Sequence, residues 1–95
     1  MRKRLARACL EQGMIARAPI DIVIAAEYGR CAARYGQRSV RYVAMEAGHV
    51  GQNISLQAAA LGLGAVMVGA FYDEEVKKVL GIHEEPLYII PVGRI

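Results

Sequence analysis

Several absences narrow this sequence before anything present does. It has two cysteines in 95 residues, Cys9 and Cys31, which form neither a metal-ligand spacing nor a disulfide framework. Both read as reduced, mostly buried thiols, as in a reducing compartment. Ser39 and Ser55 are the only serines, and neither sits in the Gly-x-Ser-x-Gly pattern of a nucleophile elbow. His49 and His83 share no ligand spacing with carboxylates, so no metal is expected. No apolar run approaches the roughly 18–20 residues of a membrane span. The basic start, Met1-Arg2-Lys3-Arg4, is like the head of an export signal, but Arg7, Glu11 and Gln12 interrupt the apolar segment such a signal needs. The expectation is a soluble, cytoplasmic chain with no membrane partner.

What is present is more apolar than a small body can hide. Hydrophobic residues make up 55% of the chain, above the roughly 45–50% usual in soluble domains. Ninety-five residues allow one domain, 1–95, which would bury only about two-thirds of its unfolded surface. A surplus of apolar surface marks an interface, most simply with a second copy of the chain. The net charge is +3. Its excess lies between Met1 and Arg41, where Arg2, Lys3, Arg4, Arg7, Arg17, Arg30, Arg34, Arg38 and Arg41 face only Glu11, Asp21 and Glu27. Such a half could meet a phosphate, a nucleic acid or an acidic partner, or be a solvated face. No nucleic-acid motif or aromatic–basic sheet pattern accompanies it, so nucleic acid is not the expected partner.

Periodicity gives the elements. Leu5, Ala8, Cys9 and Gln12 recur at helical spacing over 2–12, with Gly13 as the stop. Ile20 to Ala26 is a β-branched run that reads as a strand apolar on both faces. Residues 28–38, rich in Gly and Arg, read as a connection. Ser39 can cap a long helix running to Leu61, with Gly62 ending it. Val40, Val43, Ala47, Val50, Ile54, Ala58 and Leu61 form one apolar stripe on that helix, and Tyr42, Met45, His49, Leu56 and Ala60 a second opposite it. A helix apolar on two sides belongs between two layers, and Gly48 and Gly51 within it suggest that another backbone approaches closely there. Ala65 to Phe71 reads as a second strand and Leu87 to Val92 as a third, with Pro91 marking an edge or a bulge. Between them a short helix runs from Glu74 to Leu80, behind Asp73 and ahead of Gly81. The fold class is therefore α/β (α+β): a three-stranded core sheet, one long central helix and two shorter ones.

By itself, Gly62-Leu63-Gly64 is a helix stop and a turn, since a dinucleotide fingerprint needs the order strand, turn, helix. The wider stretch carries more. Met45-Glu46-Ala47-Gly48-His49-Val50-Gly51-Gln52-Asn53 is followed by Leu56-Gln57-Ala58-Ala59-Ala60-Leu61-Gly62-Leu63-Gly64. Then come Val68-Gly69-Ala70-Phe71, Glu75-Val76, Val79-Leu80-Gly81-Ile82 and Pro91-Val92-Gly93. In order and spacing this resembles the C-terminal half of the flavin-dependent nitroreductase family. Ala25, Glu27, Tyr28 and Arg34-Tyr35-Gly36 resemble its thiazoline/oxazoline peptide dehydrogenase branch.

The resemblance implies an FMN enzyme that passes hydride from NAD(P)H to an electron-poor small-molecule acceptor. It implies a homodimer with the long helix in its core and the flavin at the subunit interface. The cofactor performs the redox step, so no acid–base pair of the protein's own is needed and no catalytic side chain is assigned. By matching motifs, the backbone of Met67, Val68, Gly69 and Ala70 would run past the flavin ring, and Arg94 would reach the FMN phosphate. Relative to the family, the domain at 1–95 lacks the N-terminal half, whose arginines hold that phosphate, and Arg2-Lys3-Arg4 does not replace them. FMN is therefore expected to be held weakly or lost. The alternative function is a non-catalytic dimerisation or small-ligand module that keeps the fold core without flavin.

Overall fold

The computed structural model describes residues 1–94, with the side chain of Cys31 excepted. Helices α1 (Arg2–Ala8) and α2 (Gly13–Arg17) lead into strand β1 (Ile20–Ala26). Helix α3 (Tyr28–Tyr35) and a 3-10 turn (Gly36–Arg38) then precede the long helix α4 (Ser39–Ala60). Strand β2 (Leu63–Ala65), helix α5 (Asp73–Leu80) and strand β3 (Glu85–Arg94) complete the chain. The class is as expected: a mixed α/β fold with a three-stranded sheet and one long helix. The sheet is antiparallel throughout, in the order β1-β3-β2.

The last strand in sequence is the central one in space. Side chains alternate across a strand, so β3 serves both layers. Ile89 joins Leu5, Cys9, Ile15, Val68 and Val76 in a core between the sheet and α1, α2 and α5. Tyr88, on the other face, lies against Gly51 of α4. One extra residue, Leu87, bulges from β3 where the pairing shifts from Ile24–Tyr88 to Ala25–Pro86.

Pro91 departs from expectation. It lies inside the central strand, opposite Asp21. Its carbonyl accepts from the Val66 amide at 3.3 Å, but proline has no N–H to return. The ladder that pairs Leu63, Gly64 and Ala65 with Arg94, Gly93 and Val92 therefore breaks at Val66. It resumes for one residue, Val68, which exchanges hydrogen bonds of 2.9 and 3.0 Å with Ile89. The strand expected over 65–71 is thus a three-residue strand followed by an extended run with a single bridge.

Other boundaries differ for local reasons. The first helix stops at Ala8, because Leu10 and Glu11 turn to positive φ, and Gly13 opens α2 instead of ending α1. The stretch from Tyr28, expected to be a connection, is helical. Glu27 starts it by accepting a hydrogen bond from the Gly29 amide. Ser39 is buried as the first residue of α4 and makes no side-chain cap. Gly62 (φ 74°) and Gly81 (φ 67°) end α4 and α5 in the backbone region that favours glycine, as expected.

Helix α4 buries only Ser39, Ala47, Gly51 and Ala58. Val40 and Leu61 overhang the sheet and are 62% and 64% exposed, although they lie on the stripe of Ala47. Met45 and Leu56, on the far face, are 53% and 58% exposed, and His49 is exposed between them. Within the chain, one of the two expected apolar faces of this helix is uncovered.

Candidate functional site

The segment 66–72 crosses from β2 to α5 along the edge of the sheet, and its position is fixed by few but specific contacts. Val68 is buried and spends both backbone groups on Ile89. In an extended chain neighbouring residues direct their amides to opposite edges, so the Gly69 amide points away from the sheet. The Ala70 carbonyl accepts from Gln12 Nε2 at 3.1 Å, and the same nitrogen donates to the Cys9 carbonyl at 2.8 Å. The Tyr72 amide donates to the Ala8 carbonyl at 2.8 Å. The segment is therefore pinned at Val68, Ala70 and Tyr72, while Gly69 and Ala70 remain exposed.

Gly69 leaves open space for a flat group. A Cβ built there meets only the Tyr88 ring, at 3.7 Å. Met67, two residues earlier and so on the same face, packs on Gly51 of α4, its sulfur 2.6 Å from where a Cβ on that glycine would be. The backbone expected to approach Gly51 closely is not what lies there; the near neighbours are the Met67 and Tyr88 side chains. Nothing within the described chain comes within 4 Å of a Cβ on Gly48.

Of the five candidate residues, Met67, Val68, Gly69 and Ala70 lie together on this segment. Arg94 does not join them. It pairs with Leu63 at the far end of the β2–β3 ladder. It is five residue steps along β3 from Ile89, about 17 Å at the rise of a strand. It lines instead an open cavity of about 400 Å³ with Arg17, Pro19, Gly64, Val66 and Pro91. From the sequence, Arg17 stands only among the basic residues of the first half, with no site role. Met14-Ile15-Ala16-Arg17, an apolar turn just before Pro19, signals a short helix but not what Arg17 faces. Gln12 was likewise missed as a positioning residue, since its partner Ala70 is 58 positions away.

A buried thiol, Cys9, and a half-buried carboxyl, Asp21, lie on the core side of the site. Burial pushes the Cys9 thiol up to about 11, with the Asp21 charge adding to the effect. Burial also raises the Asp21 carboxyl above the ordinary carboxylate range, opposed by the nearby Arg2 guanidinium. One carboxylate oxygen of Asp21 is buried and has no hydrogen-bond partner among the described residues. Neither group reaches the exposed backbone of Gly69.

An α4 layer, a β3-centred sheet and a Gly-bearing segment between Leu-Gly-Leu-Gly and α5 define a fold with known counterparts. The Nitroreductase family matches residues 2–94. A curated protein of Methanocaldococcus jannaschii named as a nitroreductase is 57% identical over 90 residues, which are 95% of this chain and 46% of that one. A crystal structure from Anabaena variabilis, also named as a nitroreductase, superposes with a TM-score of 0.90 at 39% identity, over 98% of this chain and 20% of that one. The fold is shared as well by the NADPH:FMN oxidoreductase of Vibrio harveyi solved with NAD+, at a TM-score of 0.83 and 24% identity, over 98% of this chain and 45% of that one. The chain belongs to the nitroreductase family. It spans about half the length of the curated relative it matches.

Proposed function

We propose that this chain is an FMN-dependent oxidoreductase of nitroreductase type, or a remnant of one, that transfers hydride from NAD(P)H to an electron-poor small molecule. The observation that carries the reading is the pinned segment at Val68–Ala70. It offers a free amide and an open glycine on a fold of this family. When bound, FMN supplies the hydride acceptor and donor. The residues present fit such a ring. Gly69 admits a flat group without a clash, and its amide is free to donate to a ring nitrogen, where it would stabilise charge in the reduced form. Val68 holds the amide in register through Ile89, and Gln12 restrains the next carbonyl. Arg94 is proposed at the phosphate, with Arg17 beside it.

The unit is proposed to be one domain, 1–95, acting as a homodimer. The uncovered face with Met45 and Leu56, and the vacant approach to Gly48, support a second copy on α4.

The test is the absorption spectrum of the purified chain before and after addition of FMN, repeated with Gly69→Val. Weak or partial loading is expected in the native sequence and none in the variant. A chain that associates through α4 yet perturbs no flavin spectrum would instead be the non-catalytic dimerisation module. Unchanged FMN affinity in Gly69→Val would move the site elsewhere.

A further inference from the structure

A second concave surface lies between α1 and α5, and it shares no lining residue with Met67–Ala70 or with the Arg17–Arg94 cavity. It has a volume of about 560 Å³ and is walled by Arg4 and Arg7 from one helix and by Glu75 and Lys78 from the other. Each pair is three residues apart, so each presents its two side chains on one face of its helix. Tyr72 stands at the end of the groove, 57% exposed, and Val79 and Ala8 form an apolar floor. The hydrogen bond from the Tyr72 amide to the Ala8 carbonyl, 2.8 Å, joins the two helices at the groove.

The charge here is unbalanced. Three cations face one carboxylate, and no ion pair among the described residues engages Arg4, Arg7 or Lys78. Of the other acids on α5, neither Asp73 nor Glu74 lines the groove. Glu74 is paired with Lys77, which also binds Glu85. The residual two positive charges match a phosphate monoester, which carries about −1.5 to −2 at neutral pH. Guanidinium forks suit phosphate oxygens. The volume falls in the range of small-molecule sites, where a few polar groups orient a ligand over an apolar floor.

We propose that the α1–α5 groove binds a small organic phosphate. Its phosphoryl group sits among Arg4, Arg7 and Lys78, and its ring or apolar body lies against Tyr72 and Val79. The inference does not rest on the flavin reading.

The test is an NMR titration of the chain with phenyl phosphate, following the backbone amides of Tyr72, Lys78 and Ala8. Saturable shifts confined to α1 and α5 are expected, with inorganic phosphate binding more weakly and phenol not at all. Arg4→Gln and Lys78→Gln should each weaken binding about tenfold, and Arg94→Gln should leave it unchanged. Glu75→Gln removes the one carboxylate that lines the groove among the described residues and should tighten binding several-fold, a gain that impaired folding cannot imitate. Shifts that fail to saturate, binding reduced equally by Arg94→Gln, or no gain with Glu75→Gln would each overturn the proposal.

Discussion

The Met67 sulfur occupies the space that a side chain on Gly51 would need, and this contact joins the long helix to the candidate site. Alanine at position 51 would gain about 1 kcal/mol of helix propensity, while Met67, a flexible side chain, swings aside. Gly51→Ala is therefore expected to leave stability within about 1 kcal/mol of the native chain. Gly51→Leu would also press on the Tyr88 ring, 3.7 Å from a Cβ there, and should cost about 1–3 kcal/mol as overpacking does. Urea denaturation of both variants checks the pair. Equal midpoints would show that Met67 and Tyr88 do not fill that space.

Association is expected to run through the exposed face of α4. Light scattering of the native chain should give a dimer or a higher oligomer. Leu56→Glu, at a position 58% exposed within one chain, should disturb association and lead to aggregation or unfolding. A native chain that is a stable monomer would remove the dimer from the proposed function.

Asp21 gives the chain a pH dependence of unusual sign. Its folded carboxyl lies above the ordinary value, so the folded state holds this proton more tightly than the unfolded state. Stability from this group is therefore present at low pH and lost as pH rises from about 4 through the raised value. Asp21→Asn should raise the melting temperature at pH 7 and flatten its pH dependence. A variant less stable than the native chain at pH 7 would mean that the ionised carboxylate is well satisfied.

Cys9 should be inert while the chain is folded. It is fully buried, and its thiol is pushed up to about 11, so little thiolate forms at pH 8. Thiol titration should proceed only as fast as the chain unfolds. In denaturant without reductant, two thiols should titrate, Cys9 and Cys31. Rapid modification of Cys9 in the native state would contradict its burial, and finding no free thiol would contradict the reduced state.

Arg94→Ala should weaken FMN only modestly, since Arg17 lines the same cavity. The Arg17→Ala/Arg94→Ala pair should lose more than the product of the single effects, because each single variant keeps one cation. Flavin titration by absorbance measures this. A double variant no weaker than Arg94→Ala would place the phosphate away from the cavity.

The order of strands and helices was legible in the sequence because it rests on local signals. Ile20–Ala26 was a strand by its β-branched run, and Gly62 and Gly81 ended helices by backbone preference alone. The errors arose where a distant partner decides. The segment after Ala65 looks apolar enough for a long strand, yet it loses its ladder to a proline 25 positions on, because Pro91 is opposite Val66. Tyr28–Tyr35 has the Gly and Arg content of a loop, but one carboxylate at Glu27 starts a helix there. At the candidate site, Gly69 and its neighbours Met67, Val68 and Ala70 were named only through the family resemblance, not by their local pattern. Gln12 and Arg17 could not be picked out, since their importance lies in what the fold sets beside them.

The shortness of β2 also bears on how the molecule stays separate from its own kind. An exposed edge with a full row of unpaired amides and carbonyls invites another chain to add on, strand upon strand, toward fibrils. At β2 the regular row is only three residues long, Leu63–Ala65, and past it the chain keeps a single bridge, Val68 to Ile89, before it turns into α5. So short an edge limits what a further strand could gain by adding there, even in a chain that leaves so much apolar helix uncovered.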